Sequence, residues 1–497
     1  MPTPIRVHPR NRKLFEFRGN PLVLVTATEH YGAVMNRPFN YARYLADAAE
    51  KRITLTRLFL LFRELQTPAN PYSTCKPESP DYIAPYERTG PQRALDLQPV
   101  YDLDRPSAEF YERLHGFVGL ASEHGVIVEV VFLSNTYGDS GWGLNPLNAH
   151  NNINGLEDIP WYEYMTRRHT KLYARQVDHV RRIVRELKAY DNIIYEICNE
   201  PGGGIGIEGA PTPAEVNEWL AALIRVVRET EAGLPNRHLI AGQEAFAYTL
   251  PDEESNASDV HQFADLSFAD MDYDVVNMHP LSNMKHRGKQ YNLGRFMHAE
   301  LNLRAYRDYC LDTYREPKPL NLDEDNCASQ YKGPEGWTIH RKRAWTALMC
   351  GAHYDVIDFS IWAYLETGTP DSQRHIRTWM KHLSEFTHSL DLASAVPMPD
   401  LVLGYPARTV VSAFGVRERD FAVYLADDRE WDEPDCGSPL GGELPLQLET
   451  AHWLVSCYSP VTGLYSPAVQ VEGGANARVS LPAFEHDLVL RFTRAGE

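Results

Sequence analysis

Two acidic segments hold the residues best suited to chemistry: Ile193-Ile-Tyr-Glu-Ile-Cys-Asn-Glu-Pro201 and Pro319-Leu-Asn-Leu-Asp-Glu-Asp-Asn326. In each, a short apolar run with the character of a strand ends in carboxylates. Glu200 and Glu324 stand 124 residues apart, so only the fold can bring them together. Two carboxyl groups facing each other across a gap are what glycosidic bond cleavage requires. One protonates the departing oxygen, while the other attacks the sugar or activates water. A separation of ~5–5.5 Å goes with retention through a covalent intermediate, and ~6.5–9.5 Å with inversion.

The elements that must position these groups follow from hydrophobic patterning. Apolar runs at 22–28, 53–59, 126–133, 193–198, 238–241, 274–279, 320–323 and 356–361 lack clean polar alternation, as strands buried on both faces do. Helical patterns separate them at 41–51, 107–124, 161–189, 214–231, 295–314, 339–353 and 371–390. Gly125 reads as a C-cap, and Pro160 as a helix opener. Eight strand–helix repeats predict an α/β chain with a (β/α)₈ TIM barrel over residues 1–396, including an N-terminal strand extension. A doubly wound open sheet is the weaker alternative, because no Gly-rich phosphate turn follows the first strand. Long connections at 63–105 and 134–160 follow strands and so belong on the catalytic face; they form either rim padding or the walls of a sugar pocket. From 397 to 497, short strands at 409–414, 421–425, 452–457, 468–471, 477–481 and 488–492 alternate with Gly, Pro and Asp turns. That texture predicts a small antiparallel β-sandwich without chemistry of its own.

Side chains alternate along a strand, so Glu196, Cys198 and Glu200 are expected on one face, with Glu200 at the tip. Glu196 would lie roughly 13 Å deeper, at about 3.3 Å per residue, and is expected to be a buried partner of Arg57. The same parity places Glu324 on the face of Leu320 and Leu322, with Asp323 and Asp325 turned away.

At this point the chain resembles a known group. Asn199-Glu200-Pro201 ending the fourth strand is similar to the acid/base signature of the clan A glycoside hydrolases, retaining (β/α)₈ enzymes with the nucleophile on strand seven. Arg57 ends strand two as the clan's strand-two arginine does, His279 sits at the end of strand six, and Trp362 ends strand eight, where the clan commonly places a sugar-stacking tryptophan. The resemblance implies Glu200 as proton donor and later base, Glu324 as nucleophile, and Asn199 as a partner of the sugar 2-hydroxyl. It further implies a Glu200 pKa raised by apolar walls and by negative Glu324, with Arg57 keeping Glu324 ionised. His279 is either a substrate or nucleophile contact or a satisfied histidine at the mouth, and Trp362 either a sugar platform or rim packing. His30 and Tyr31 after strand one, and Asn135 and Tyr137 after strand three, are candidate substrate-binding residues in the pocket wall. The segment from Trp453 to Gly463, with His486 to Phe492, is similar to the "collagen-binding"-type β-domain that follows some cellulase-like barrels of this clan.

Bulk properties bound the partners. A net charge of −18 with no basic patch argues against nucleic acid and anionic membranes, and leaves a carbohydrate substrate as the expected partner. Seven cysteines without a CxxC pair suit free thiols in a reducing compartment. No secretory leader is legible at the N-terminus, so a cytoplasmic location is expected. Among the nineteen histidines there is no HxH or HExxH cluster at a strand tip, so no metal and no cofactor are expected. Exo-action on oligosaccharides is the expected activity. The alternatives are endo-action on polysaccharide, a metal-dependent barrel hydrolase, or a carbohydrate-binding barrel without catalysis; sugar and oligomeric state stay open.

Overall fold

Short strands with side chains alternating in and out decide how this molecule is layered. The computed structural model describes residues 3–28, 32–61, 81–203, 207–234, 237–248, 260–280, 283–293, 300–325, 333–358 and 364–496. Eight strands, β1 (Val25–Thr28), β2 (Leu55–Phe59), β3 (Ile127–Ser134), β4 (Ile193–Asn199), β5 (Leu239–Gly242), β6 (Val275–Met278), β7 (Leu320–Leu322) and β8 (His353–Ile357), form one parallel sheet in the order β1-β8-β7-β6-β5-β4-β3-β2. The ring closes where the Thr54 N–H donates to the Val25 carbonyl at 3.0 Å and the Val25 N–H donates to Thr54 Oγ1 at 2.8 Å. The expected TIM barrel is therefore present.

A helix follows each strand: α1 (Tyr41–Glu50), α2 (Ala108–His124), α3 (Thr170–Leu187), α4 (Pro213–Glu231), α5 (Asp265–Ala269), α6 (Leu303–Thr313), α7 (Thr338–Met349) and α8 (Ile376–His388). Gly125 caps α2 in the left-handed region, as its position suggested. α3 starts later than expected because the Glu157 carboxylate accepts from the Lys171 and Leu172 N–H groups, fixing the first turn there. β8 starts earlier than expected, directly after Gly351 (φ +81) ends the preceding helix. Part of the 63–105 connection is a hairpin, Tyr86–Arg93 with Pro99–Pro106; residues 62–80 lie outside the described residues. A four-stranded sheet from Ala247–Tyr248, Val260–Phe263, Asn283–His286 and Lys289–Asn292 was not legible in the sequence, its strands being only 2–4 residues long.

Parity then sorts the barrel interior into layers. At the N-terminal end, Leu55, Ile127, Ile194, Leu239 and Val275 pack on Ile5 and on Phe15 and Phe17 of a small N-terminal sheet that plugs the barrel floor. Further along β2, β3, β4 and β6, and on β7 and β8, the buried residues turn polar: Arg57, Glu129, Glu196, Asn277, Asn321 and Asp355. The floor is apolar and the interior beneath the mouth is charged.

The C-terminal strands are β9 (Val396–Pro397), β10 (Thr409–Val416), β11 (Asp420–Asp427), β12 (Leu440–Leu446), β13 (His452–Tyr458), β14 (Val469–Glu472), β15 (Ala477–Phe484) and β16 (Asp487–Arg494). They form a sheet in the order β9-β10-β11-β16-β13-β14 and a ribbon of β12 with β15, antiparallel throughout. This is the expected sandwich, with β9 and β12 as additions. Along β11, Phe421, Val423 and Leu425 face the sandwich core, while Ala422, Tyr424 and Ala426 face the barrel. Trp345 of α7 stacks on Tyr424 at 5.5 Å, so both faces of the strand are buried. Every residue of α7 is buried, including Arg341, Lys342 and Arg343, because the helix lies between two bodies rather than at a surface.

Candidate active site

Arg57 is the hub of the polar interior. It is fully buried, and four acceptors surround its guanidinium. Nη2 donates to Glu196 Oε2 at 2.6 Å and to Asn199 Oδ1 at 3.0 Å, and Nε to Glu196 Oε2 at 3.0 Å. Nη1 donates to Glu324 Oε1 at 2.5 Å, and Asp323 Oδ2 lies 3.2 Å from Nε. The expected Arg57–Glu196 pairing is thus found, and Glu324 stands on the opposite side of the same cation.

His279, just past β6, is the second hub. Its Nδ1 lies 3.0 Å from Glu200 Oε1 and 3.7 Å from Glu324 Oε2, and its Nε2 lies 3.6 Å from Asp323 Oδ2. Phe246 packs edge-on against the ring at 5.8 Å. One donor atom each from Glu200, His279 and Glu324 lies within 4.8 Å of the others. A cation could bridge these three, but it would compete with Arg57 for Glu324.

Both carboxylate residues adopt left-handed backbone, with φ +45 at Glu200 and +50 at Glu324. Residues other than Gly rarely do so, and such strain persists only where the surroundings hold it. For Glu324 this overturns the parity expectation. Asp323, expected to turn away, instead faces into the barrel beside Arg57 and His279. The left-handed turn at the next residue then re-aims Glu324 into the same space. Likewise Glu196 and Asn199 both meet Arg57, whereas Cys198 lies beside Met165 Sδ at 3.9 Å, so simple alternation does not run to the end of β4.

Tyr137, also left-handed (φ +54), donates its hydroxyl to Glu200 Oε2 at 2.5 Å and accepts from Asn199 Nδ2 at 3.0 Å. Asn135 is buried, and its amide is fully engaged by backbone. Nδ2 donates to the carbonyls of Glu200 and Gly202 at 3.2 and 2.9 Å, and Oδ1 accepts from the Tyr137 N–H at 2.9 Å. It braces the turn that presents Glu200. His30, Tyr31 and Trp362 lie outside the described residues.

The electrostatics differ from the sequence-based expectation. Burial pushes Glu200 up, but the His279 contact, the Tyr137 hydroxyl and the field of Arg57 outweigh it and hold the carboxyl below its ordinary range. Glu324 moves the other way: burial, with repulsion from Glu200 and Asp323, exceeds the pull of His279 and Arg57. Burial alone would keep His279 neutral, but Glu324, Asp323 and Glu200 raise it well above the usual imidazole value. Beneath them, burial and mutual repulsion raise Glu129, Glu196 and Asp355. Six carboxyl groups surround two cations here, and burial raises these three deep ones most consistently toward their neutral form. The polar residues within β3, β6, β7 and β8 (Glu129, Asn277, Asn321, Asp355) were the unread signal: each interrupts an apolar run at an inward position.

Comparison with known proteins finds a family match for part of the chain. Residues 90–304 match the family model Cellulase (glycosyl hydrolase family 5). The barrel is that of a clan A glycoside hydrolase. No curated protein sequence matches the chain. Among solved structures, a glycoside hydrolase family 5 protein from Bacteroides vulgatus superposes with a TM-score of 0.62 at 12% identity, covering 99% of this chain and 93% of that one. A second glycoside hydrolase from the same organism gives 0.62 at 12%, covering 99% and 82%. A third structure, described as a glycoside hydrolase, gives 0.61 at 12%, covering 100% and 98%. At that identity the likeness is one of fold, and it extends over barrel and sandwich together. A glycoside hydrolase takes a carbohydrate substrate. Among the described residues, no helix is long and apolar enough to cross a membrane.

Proposed function

We propose that this glycoside hydrolase works by retaining double displacement, with Glu324 as nucleophile and Glu200 as acid and then base. The observation that carries the reading is the approach of the Glu200 and Glu324 carboxylates to within 4.8 Å, with His279 between them and Arg57 on Glu324. An approach that close supports retention over inversion. Arg57 favours the ionised, attacking form of Glu324, and the proton for the leaving oxygen resides in the Glu200–His279 pair, 3.0 Å apart. As the glycosidic oxygen approaches, Glu200 delivers that proton while His279 becomes neutral. Once Glu324 is esterified its charge is gone, and Glu200 accepts a proton from the incoming water. Asn199, whose amide is held by Arg57 and Tyr137, takes the sugar 2-hydroxyl in this reading. The long connections after β2 and β3 favour a closed pocket and exo-action on short oligosaccharides.

A panel of nitrophenyl pyranosides and furanosides identifies the sugar, and product NMR gives the stereochemistry. Glu324→Ala should lose turnover and recover it in azide with inverted product. Glu200→Ala should keep activity mainly toward activated aryl leaving groups, which need no proton. Full activity of Glu324→Ala would remove it from the mechanism. Release of internal fragments from a polysaccharide at early times would replace exo-action with endo-action.

A further inference from the structure

Away from the paired glutamates, one other group of metal-ligating side chains comes together among the described residues: Asp427, Cys436 and His486. Asp427 ends β11, and His486 sits in the tight turn between β15 and β16 with φ +61. The two are fixed together by the Asp427 N–H, which donates to the His486 carbonyl at 2.7 Å, beyond the last ladder pair Ala426–Asp487. The loop 428–438 then folds back and delivers Cys436. Its Gly437 N–H donates to Asp427 Oδ2 at 3.1 Å, and Arg429 ties Asp427 Oδ1 (2.8 Å) to the Ser438 carbonyl (2.7 Å). A Cβ on Gly437 would sit 2.7 Å from His486 Cε1, so the imidazole rests directly on the loop backbone. His486 Nδ1 is buried without a hydrogen-bond partner.

One donor atom from each residue lies within 4.8 Å of the other two. Tetrahedral zinc with bonds of ~2.0–2.3 Å places its ligand atoms roughly 3.3–3.8 Å apart, so closing the site needs side-chain movements of about 1 Å. Thiolate, imidazole and carboxylate together are a donor set for zinc rather than for magnesium or calcium. The local charges agree. Arg429 is held by Asp427 and Asp435, and Arg341 by Asp487, leaving one carboxylate in excess of the guanidinium groups. With the cysteine as thiolate, two negative charges exceed the guanidinium groups, more than Lys342 alone offsets and as many as a dication supplies. Lys342, buried beside Asp427, Cys436 and Asp487, is the competing cation.

We propose that Asp427, Cys436 and His486 form a binding site for a zinc-type divalent cation, which pins the 428–438 loop to the β15–β16 turn. The inference is independent of the glycosidase mechanism. It is tested on the full chain, stripped with a chelator and titrated with Zn²⁺ by calorimetry and with Co²⁺ by absorption. The expected result is one saturable Zn²⁺ equivalent, a raised thermal midpoint, and a thiolate-to-cobalt charge-transfer band. Cys436→Ser and His486→Ala should each weaken binding beyond the ~10–100-fold that loss of an outer partner costs, while glycosidase turnover is kept. Should either variant fail to fold, protection of wild-type Cys436 from alkylation by Zn²⁺ decides the question, read by peptide mass. Absence of saturable binding, binding unchanged in both variants, a cobalt adduct without the thiolate band, or alkylation unaffected by zinc would each overturn the proposal, leaving Lys342 as the group's counter-charge.

Discussion

Tyr137→Phe is the perturbation that most directly probes how the acid is tuned. The substitution removes one oxygen from a side chain that is 47% exposed, so packing is nearly unchanged. It deletes the 2.5 Å hydrogen bond to Glu200 Oε2 and leaves Asn199 Nδ2, among the described residues, with Ser134 Oγ at 3.5 Å. A hydrogen bond to a charged acceptor contributes ~1.5–3 kcal/mol, and about 1.36 kcal/mol corresponds to one pKa unit. Water can replace part of the lost donor at this exposed position, which favours the low end, about one unit. The sign follows from which form accepts the bond. Tyr137 stabilises ionised Glu200, so its loss raises the pKa of the carboxyl. Glycosylation needs Glu200 protonated, so the alkaline limb of kcat/KM should move upward, by up to about one unit. The shift is shared, because Glu200, His279 and Glu324 titrate as a set.

The assay is a pH profile of kcat/KM for wild type and Tyr137→Phe on an alkyl glycoside or oligosaccharide of the sugar that the panel identifies, whose leaving oxygen needs a proton, with thermal midpoints measured in parallel. A leaving group acidic enough to depart without a proton serves as control, since its profile should not carry the Glu200 shift. An alkaline limb that stays put, with an unchanged thermal midpoint, refutes the reasoning. A raised KM without any limb shift would make Tyr137 a plain sugar contact, the role its position after the third strand suggested.

Three further outcomes follow from the buried charges. Arg57→Ala leaves Glu196, Asp323 and Glu324 facing one another without their cation and should cost ~3–5 kcal/mol in denaturant unfolding, less at acid pH where the carboxyls protonate. Glu129 is raised by burial, Glu196 and Asp323, so its contribution to stability is full below the unfolded carboxyl pKa and is lost as pH rises through the folded value; Glu129→Gln, which can still accept from Asn277, should flatten the alkaline fall in stability. Asp487→Ala strands the buried Arg341 guanidinium between barrel and sandwich and should likewise cost ~3–5 kcal/mol, read as a lowered unfolding midpoint with the wild-type pH profile of kcat/KM retained in the folded fraction.

What the sequence made legible, and what it did not, divides along one physical line. Barrel strands buried on both faces leave apolar runs that cannot be mistaken for surface strands, so strand count and order were readable. Ribbons of two to four residues such as Ala247–Tyr248 leave no periodicity to detect. A period of two is valid only while the backbone stays extended. At β7 it correctly implies that one of two adjacent acids faces inward, and parity alone picks the wrong one, because Asn321 and Asp323 share the barrel interior while Leu320 and Leu322 face the helices. Glu324 reaches the mouth by leaving the extended region, as Glu200 does at β4. A left-handed glutamate costs on the order of 1–3 kcal/mol, and two of them face each other here. Strain of that size is held by the groups the strained residues meet: Arg57 on Glu324, and His279, Tyr137 and Asn135 on Glu200 and its turn. Fixing two turns in this way aims two carboxylates at one point from strands that would otherwise carry them past it. The backbone strain and the charge network are therefore one device, and a variant that relaxes either turn should loosen both.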